Sequence, residues 1–178
     1  MKLIVMGNIH ILAPNAVNKY TNASDDREHI LKGALAHPEN LKVSWGVKIA
    51  EVMKMNYQII DPSDTNESIL ESAMKWSSEI DNDDYFVIIG WADNNPQPII
   101  GMHLNLKEKG IQHLFFNTSE KVNTGYDFGI NLVEEAFIPY LKEKGYDTVI
   151  MSDNYFGPDA HSEWMKYLIN HIASNRMI

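Results

Sequence analysis

Runs of continuous apolar residues alternate along the chain with segments in which apolar residues recur every three or four positions. The first pattern is typical of strands buried on both faces, and the second of helices that pack one face against a sheet. The apolar runs predict strands at 2–6, 56–60, 85–91, 111–117 and 146–153. The third run is apolar from end to end, so we expect it in the middle of the sheet.

The helical pattern recurs between these runs and after the last one, and it predicts helices that cover the sheet. These helices lie at 24–36, 44–53, 64–80, 127–144 and 158–172. Ser44 is expected to cap the second of them, and Asp64 with Glu67 resembles a capping box at the start of the third. Pro38 is expected to end the first helix, and Pro139 predicts a kink or a break in the fourth.

The same spacing predicts which side chains of these helices face the core. In the second helix they are Trp45, Ile49, Val52 and Met53. In the fourth they are Ile130, Val133, Phe137 and Leu141. In the last they are Trp164, Leu168 and Ile172, after a start at Pro158.

The alternation of strands and helices predicts a three-layer α/β/α fold with a mostly parallel central sheet. One segment, 99–106, fits either an extra strand or an inserted excursion. A length of 178 residues suits one full hydrophobic core, and no repeat or linker divides it. We therefore expect a single α/β domain over 1–178.

Composition removes several classes of function. The formal net charge is −9 and no cluster of Lys and Arg is present, which disfavours nucleic acid as a partner. The chain has no cysteine, which excludes disulfides, thiol nucleophiles and Cys-ligated zinc, and fits a reducing cytoplasm. The apolar run 3–6 is too short for a signal peptide, and nothing approaches the length of a membrane span.

No motif predicts a cofactor or a metal. Gly7 stands alone, without the paired glycines of a dinucleotide fingerprint or the Gly-Lys-Ser/Thr of a P-loop. The His-Glu-x-x-His spacing of a zinc site is absent too. The remaining partners are a small molecule or another protein, neither of which the sequence identifies, and the oligomeric state stays open.

Polar residues follow the end of each predicted strand. They include Asn8 with His10, and the segments 61–66, 93–95, 117–119 and 152–161. Ligands of open α/β sheets bind outside the carboxyl ends of the strands, so we expect these residues to converge along one edge.

Four stretches of the sequence resemble the SGNH (GDSL-type) hydrolase superfamily, in a divergent form of the kind found in some tailed-phage proteins. They are Gly7-Asn8-Ile9 after the first strand, 44–50, 88–94 with its Gly and Asn, and 153–164 with its Asp, Pro and His. The resemblance spans nearly the whole chain. It implies a flavodoxin-like layout of the sheet and, for typical members, ester hydrolysis.

The sequence departs from the family where the chemistry lies. The family's nucleophilic Ser falls on Ile9 and its neighbouring Asp on Asn8. The family's catalytic His falls on Tyr155 or Phe156, depending on the register. An esterase of this type needs a hydroxyl activated by an imidazole, so the standard route is missing.

Two hypotheses follow. The first is a non-catalytic binding or accessory protein, phage-encoded if the resemblance holds. The second is a hydrolase of the esterase type, or an acyl-transfer enzyme, with a rearranged catalytic set of His10, Asp153 and His161. Its candidate binding residues are Asn8, Asn66, Asp93, Asn94 and Tyr155, of which Asn94 would donate to an oxyanion.

Four of the candidates also have a purely structural interpretation. His161 is predicted one turn before Trp164 and would pack at the start of the last helix. His10 would be a turn residue, Asp153 a cap, and Asn66 a loop or first-turn residue. The geometry of the folded chain decides between the two sets of roles.

Overall fold

The structure is a computed structural model with a four-stranded, all-parallel sheet at its centre. It describes residues 1–13, 16–17, 38–60, 62–80, 84–123, 125–150 and 155–178. The strands are β1 (Lys2–Gly7), β2 (Asn56–Ile59), β3 (Tyr85–Trp91) and β4 (Gln112–Asn117). Their order is β2-β1-β3-β4, so the apolar β3 lies inside the sheet as the sequence predicts.

Helices pack on both faces of this sheet. They are α1 (Pro38–Val43), α2 (Trp45–Met53), α3 (Asn66–Glu79), α4 (Pro96–Glu108), α5 (Phe137–Glu143) and α6 (Pro158–Ser174). Short 3-10 helices lie at Ile9–Leu12 and Gly129–Asn131. Among these described helices, none combines the length and the apolar character that crossing a membrane requires.

The two faces of the sheet bury separate sets of side chains. Leu3 and Val5 of β1 point to a core shared with α2, α5 and α6, which we call the first core. Ile4 and Met6 point to a core shared with α3 and α4, which we call the second core. This alternation places a helical layer on each side, and the predicted three-layer α/β fold is confirmed.

Two helices begin where the sequence predicts. The Ser44 side chain accepts a hydrogen bond from the Val47 N–H of α2 at 3.4 Å, as a capping residue does. Pro158 is the first residue of α6, and Trp164, Leu168 and Ile172 are buried as expected. In α2 the set of residues predicted to face the core is too large, because Val52 is 58% exposed.

Two other helix starts differ from the prediction. Pro38 opens α1, a helix that the sequence does not predict, and a missing N–H costs nothing at a first helical position. The cap of α3 is Thr65, whose hydroxyl accepts from the Ser68 N–H at 3.3 Å, and Asp64 lies one residue outside it. The helix expected at 24–36 lies outside the described residues.

The segment 99–106 forms most of α4, which corrects the expectation of a strand or an excursion. Asn95 caps this helix by accepting from the Gln97 N–H at 3.3 Å, and Pro96 is its first residue. Ile99, Met102 and Leu106 are buried at helical spacing. The cap and the spacing together account for a helix here.

The long helix expected at 127–144 is largely absent. Only α5 is an α-helix, and Pro139 sits in its first turn, where no intrahelical donor is needed. Ile130 lies in the preceding 3-10 helix and is 46% exposed, so its predicted inward position is wrong. Val133, Phe137 and Leu141 are buried as predicted.

The strand expected at 146–153 is short and lies outside the parallel sheet. It forms β5 (Thr148–Ile150), which pairs antiparallel with β6 (Tyr155–Phe156). The outer edge of β4 is already occupied by the chain at Leu132 and Val133, because the Val133 N–H donates to the Phe115 carbonyl at 3.0 Å. That covered edge accounts for the separate two-stranded sheet.

Candidate functional site

The strands β1, β3 and β4 end at one edge of the sheet, and the candidate residues follow these ends. Gly7, Trp91 and Asn117 are the last residues of the three strands. Two groups of side chains form beyond them. One group belongs to the first core and contains histidines, and the other links α3 to the loop between β3 and α4 through amides.

The position of the family's nucleophile is closed by apolar packing. Ile9 follows β1 directly, is 9% exposed and belongs to the first core. Asn8 caps the 3-10 helix there, because its Oδ1 accepts from the His10 N–H at 3.1 Å. The Asn8 N–H donates to the Gly90 carbonyl at 3.0 Å, which ties β1 to β3 at this point. Within the described residues, both the side chain and the N–H of Asn8 are therefore used to hold the backbone at the end of β1.

The backbone at this junction also leaves little room. Gly7 has φ +140°, and a Cβ atom there would overlap the Gly90 carbonyl oxygen. A Cβ atom on Gly90 would lie 2.6 Å from the Phe116 ring. At these two positions the space for a side chain is taken by the neighbouring strand backbone and by the Phe116 ring.

His10 is a buried aromatic neighbour in the first core. It is 7% exposed, and its ring centroid lies 5.4 Å from that of Phe137 and 5.5 Å from that of Tyr155. Its Nδ1 atom is buried without a hydrogen-bond partner among the described residues. Burial lowers the pKa of His10 to about 4, so the ring is neutral at pH 7.

His161 contacts the same phenylalanine ring. It is 1% exposed, and its ring centroid is 5.6 Å from that of Phe137. Burial lowers the pKa of His161 to about 3, and positive charge on His10 or Lys48 lowers it further. Its Nδ1 is likewise buried and unpaired in the part of the chain that the structure describes.

The structure brings His10 and His161 to the Phe137 ring and Tyr155 to His10, whereas the rearranged site of the sequence hypothesis also needs Asp153 in an open pocket. The expected position of the family's catalytic histidine is filled by Tyr155 and Phe156, both buried in the first core. An imidazole with a pKa of 3 to 4 is a weak general base at neutral pH. Asp153 lies outside the described residues.

Asn66 is the centre of the second group. It is the first residue of α3 and fully buried. Its Nδ2 donates to the carbonyls of Asp93 at 2.8 Å and Asn95 at 3.2 Å. Its Oδ1 accepts from the N–H groups of Ala92 at 2.8 Å and Asp93 at 3.2 Å. One side chain therefore satisfies the backbone of the loop that follows β3.

Further hydrogen bonds extend this group to the end of β4. The Asp93 carboxylate accepts from the Asn95 N–H at 2.8 Å. Asn117 donates through Nδ2 to the Asp93 carbonyl at 2.7 Å, and Ser119 donates through its hydroxyl to the Ala92 carbonyl at 3.0 Å. Asn94 is exposed and takes part in none of these bonds.

Sequence reasoning placed Asn66, Asp93 and Asn94 at one edge but missed that the first two hold a loop. Asn117 completes that network, and its position at the end of a buried strand was the available signal. Asp93 presents its carboxylate to its own loop, which is the ordinary behaviour of a turn aspartate.

No metal site forms at this edge among the residues that the structure describes. No three or more His, Asp or Glu side chains of these residues are grouped to hold a metal ion. A cavity of about 430 Å³ lies at the opposite edge of the sheet, where Asp84, Lys109 and Gln112 contribute to its lining.

The fold defines a three-layer α/β protein whose strand order matches the first four strands of the flavodoxin-like arrangement. Comparison of the chain with protein-family models, with curated proteins and with solved structures gives no match. The fold alone therefore defines the class, a three-layer α/β protein.

Proposed function

We propose that this protein is a non-catalytic, SGNH-hydrolase-like α/β protein that acts by binding another molecule. The observation that carries the proposal is the burial of Ile9, which occupies the nucleophile position and packs in the first core. Without a hydroxyl there, the covalent step of an SGNH esterase has no acceptor atom.

The surroundings of Ile9 support the same proposal. His10 and His161 are buried against Phe137, and Tyr155 covers His10 from a further side. A substrate would have to displace these rings before it reached either imidazole. The absence of cysteine is compatible with the reducing cytoplasm in which we place the protein.

The partner we propose is a polar small molecule or a protein that meets the carboxyl edge of the sheet. The exposed side chains at this edge include Asp64, Thr65, Asn94 and Ser119. Asn94 offers an amide that takes part in none of the hydrogen bonds described above, and the Thr65 and Ser119 hydroxyls keep acceptor sites beside their internal bonds. The accessory role, and a phage context, rest on the resemblance of the sequence to divergent phage members of the superfamily.

A second candidate function is hydrolysis through a rearranged site. The observation in its favour is that two histidines contact one ring while both Nδ1 atoms are unpaired among the described residues. Unpaired buried polar atoms are uncommon and sometimes mark a functional group. In this alternative His10 or His161 would activate water.

An ester-hydrolysis assay separates the two candidates. Purified protein is incubated with p-nitrophenyl esters of increasing acyl length and with a fluorophosphonate probe, beside His10→Gln and His161→Gln. His171→Gln is the matched control, because His171 lies on the same helix as His161 but is partly exposed. We expect no turnover above buffer and no labelling in any of the four proteins.

Catalytic activity would be recognised by its dependence on the buried histidines. Saturable turnover that persists in His171→Gln and disappears in His10→Gln or His161→Gln would overturn the non-catalytic proposal. It would establish the rearranged hydrolase instead.

A further inference from the structure

A second pair of histidines lies apart from the candidate site, beneath the covered edge of β4. His103 belongs to α4 and His113 to β4, and each is only 3% exposed. The Nδ1 atom of His103 is 2.9 Å from the Nε2 atom of His113. The Nδ1 atom of His113 is 2.9 Å from the Ile111 carbonyl oxygen.

These two distances fix the positions of the protons. The Ile111 carbonyl can only accept, so Nδ1 of His113 carries a hydrogen. In the neutral ring Nε2 of His113 is then an acceptor, and Nδ1 of His103 must donate to it. The pair is a directed chain of two hydrogen bonds, from His103 through His113 to the backbone.

The pair supports the segment that covers the outer edge of β4, residues 126–133, which we call the cover segment. The rings of Tyr126 and Phe128 contact the His103 ring, with centroids 5.7 and 5.2 Å away. The Asn131 side chain donates to the His113 carbonyl at 2.7 Å. The first half of the cover segment therefore packs on one histidine and its second half is bonded to the other.

Protonation of the two histidines affects these hydrogen bonds in two stages. A first proton on Nε2 of His113 is tolerated if the His103 hydrogen moves to its own Nε2, because Nδ1 then accepts. A second proton leaves N–H donors on both facing nitrogens, and the bond between the rings is lost. Two like charges on adjacent buried rings then repel.

The groups around the pair oppose protonation. Burial lowers the pKa of His113 to about 4, although the hydrogen bond to Ile111 partly opposes this, and the charges of His103 and Lys107 lower it further. Burial, and then the charge of Lys107, lower the pKa of His103 as well. Tyr126 is the titratable group that the cover segment presents to His103. The pair is therefore neutral at pH 7 and charges only in acid.

We propose that His103 and His113 form an acid-sensitive latch, whose double protonation breaks the bond between the rings and releases the cover segment from the outer edge of β4. Release would break the bond from the Val133 N–H to the Phe115 carbonyl. An unpaired strand edge is a template for another strand, so the acid form would present a β-pairing surface that the neutral form hides.

Hydrogen exchange read by mass spectrometry between pH 7 and pH 4, corrected for the intrinsic rate, tests the latch. We expect the cover segment to lose protection by roughly tenfold or more at a higher pH than β1 and β3, which lose it only when the whole domain unfolds in acid. In His103→Asn the side-chain amide can donate to His113 at neutral pH and accept from it in acid. That variant should keep the cover segment protected at the acid pH where the wild type opens.

Glu51→Gln, an exposed substitution on α2 in the other helical layer, is the control variant and should open as the wild type does. The wild-type protein alone already tests the proposal, whether or not the Asn variant folds. Loss of protection in β1 and β3 at the same pH as in the cover segment would overturn the latch, because the event would then be global unfolding. So would a folded His103→Asn protein that opens at the wild-type pH.

Discussion

The Asn66 side chain shows how one buried amide holds the carboxyl edge together. It bonds to two carbonyls and two N–H groups of the loop after β3. Asn66→Ala leaves these groups buried and unpaired, and we expect it to lower the free energy of unfolding by about 3 kcal/mol. Urea denaturation monitored by circular dichroism measures this change.

Asn94→Ala is the matched control for that substitution. Asn94 is exposed in the same loop, and its truncation should change stability by less than about 0.5 kcal/mol. Equal effects of the two substitutions would mean that the hydrogen bonds of Asn66 contribute nothing net.

Sequence reasoning at the level of single residues named polar positions along the edge and left their roles open. Ser44 was recognisable as a cap, since a hydroxyl before an apolar stripe has one local partner. Asn66 was not recognisable as the centre of a network, because its partners lie 26 to 29 residues away. His10 and His161 meet at Phe137 only through tertiary packing.

Two glycines allow a prediction about helices and strands. Gly101 lies on the exposed side of α4, where an added Cβ atom would meet no other atom within 4 Å, so Gly101→Ala should stabilise the protein by about 0.5 to 1 kcal/mol. Gly90 lies inside β3, where the Phe116 ring would be 2.6 Å from such an atom. Gly90→Ala should therefore destabilise by about 2 kcal/mol or more.

Thermal unfolding of the two alanine variants beside the wild type checks both signs. Both variants replace glycine with alanine. Comparing them therefore separates the effect of helix propensity at Gly101 from the effect of packing at Gly90. A rise in midpoint for Gly90→Ala, or a fall for Gly101→Ala, would contradict the packing described for that element.

At the level of elements, apolar spacing located the central strands and the last helix. It failed at α4, where apolar residues are dense enough to fit a strand and the decision rests on Asn95 and Pro96. It also failed at 127–144, where continuous helical spacing concealed the turn at Gly129, which has φ +56°. A residue in that conformation interrupts a right-handed helix.

For the molecule as a whole, buried neutral histidines predict a loss of stability in acid. Burial lowers the pKa of His10 and His113 to about 4 and that of His161 to about 3, each from an ordinary value of 6.5. Between pH 6.5 and these lowered pKa values, the unfolded chain binds protons that the folded chain excludes. The stabilisation is therefore complete above pH 6.5 and is lost as the pH falls towards 4.

Urea denaturation at pH 7, 6 and 5 measures this dependence. His161→Leu removes one excluded proton and should reduce the slope by up to about 1.4 kcal/mol per pH unit. Leu168→Ala, a buried position on the same helix without a titratable group, should lower stability at every pH and leave the slope unchanged. A wild-type stability that is constant over this range would contradict the prediction.

The layered architecture followed from the alternation of patterns, whereas the strand pairing did not. Nothing local to 146–153 indicates that the outer edge of β4 is already taken by Leu132 and Val133. That edge is covered by a segment that also depends on His113, through the bond from Asn131. Competition between segments for one edge is a property of the folded chain, and a single-sequence pattern does not contain it.

The division of the buried side chains by the sheet also separates the tryptophans. Trp45 and Trp164 lie in the first core, and Trp76 and Trp91 lie in the second. Each face of the sheet thus has its own pair of indole fluorophores. With Trp76→Phe and Trp91→Phe, the remaining emission reports on the first core alone, so the entry of water into the two layers can be timed separately.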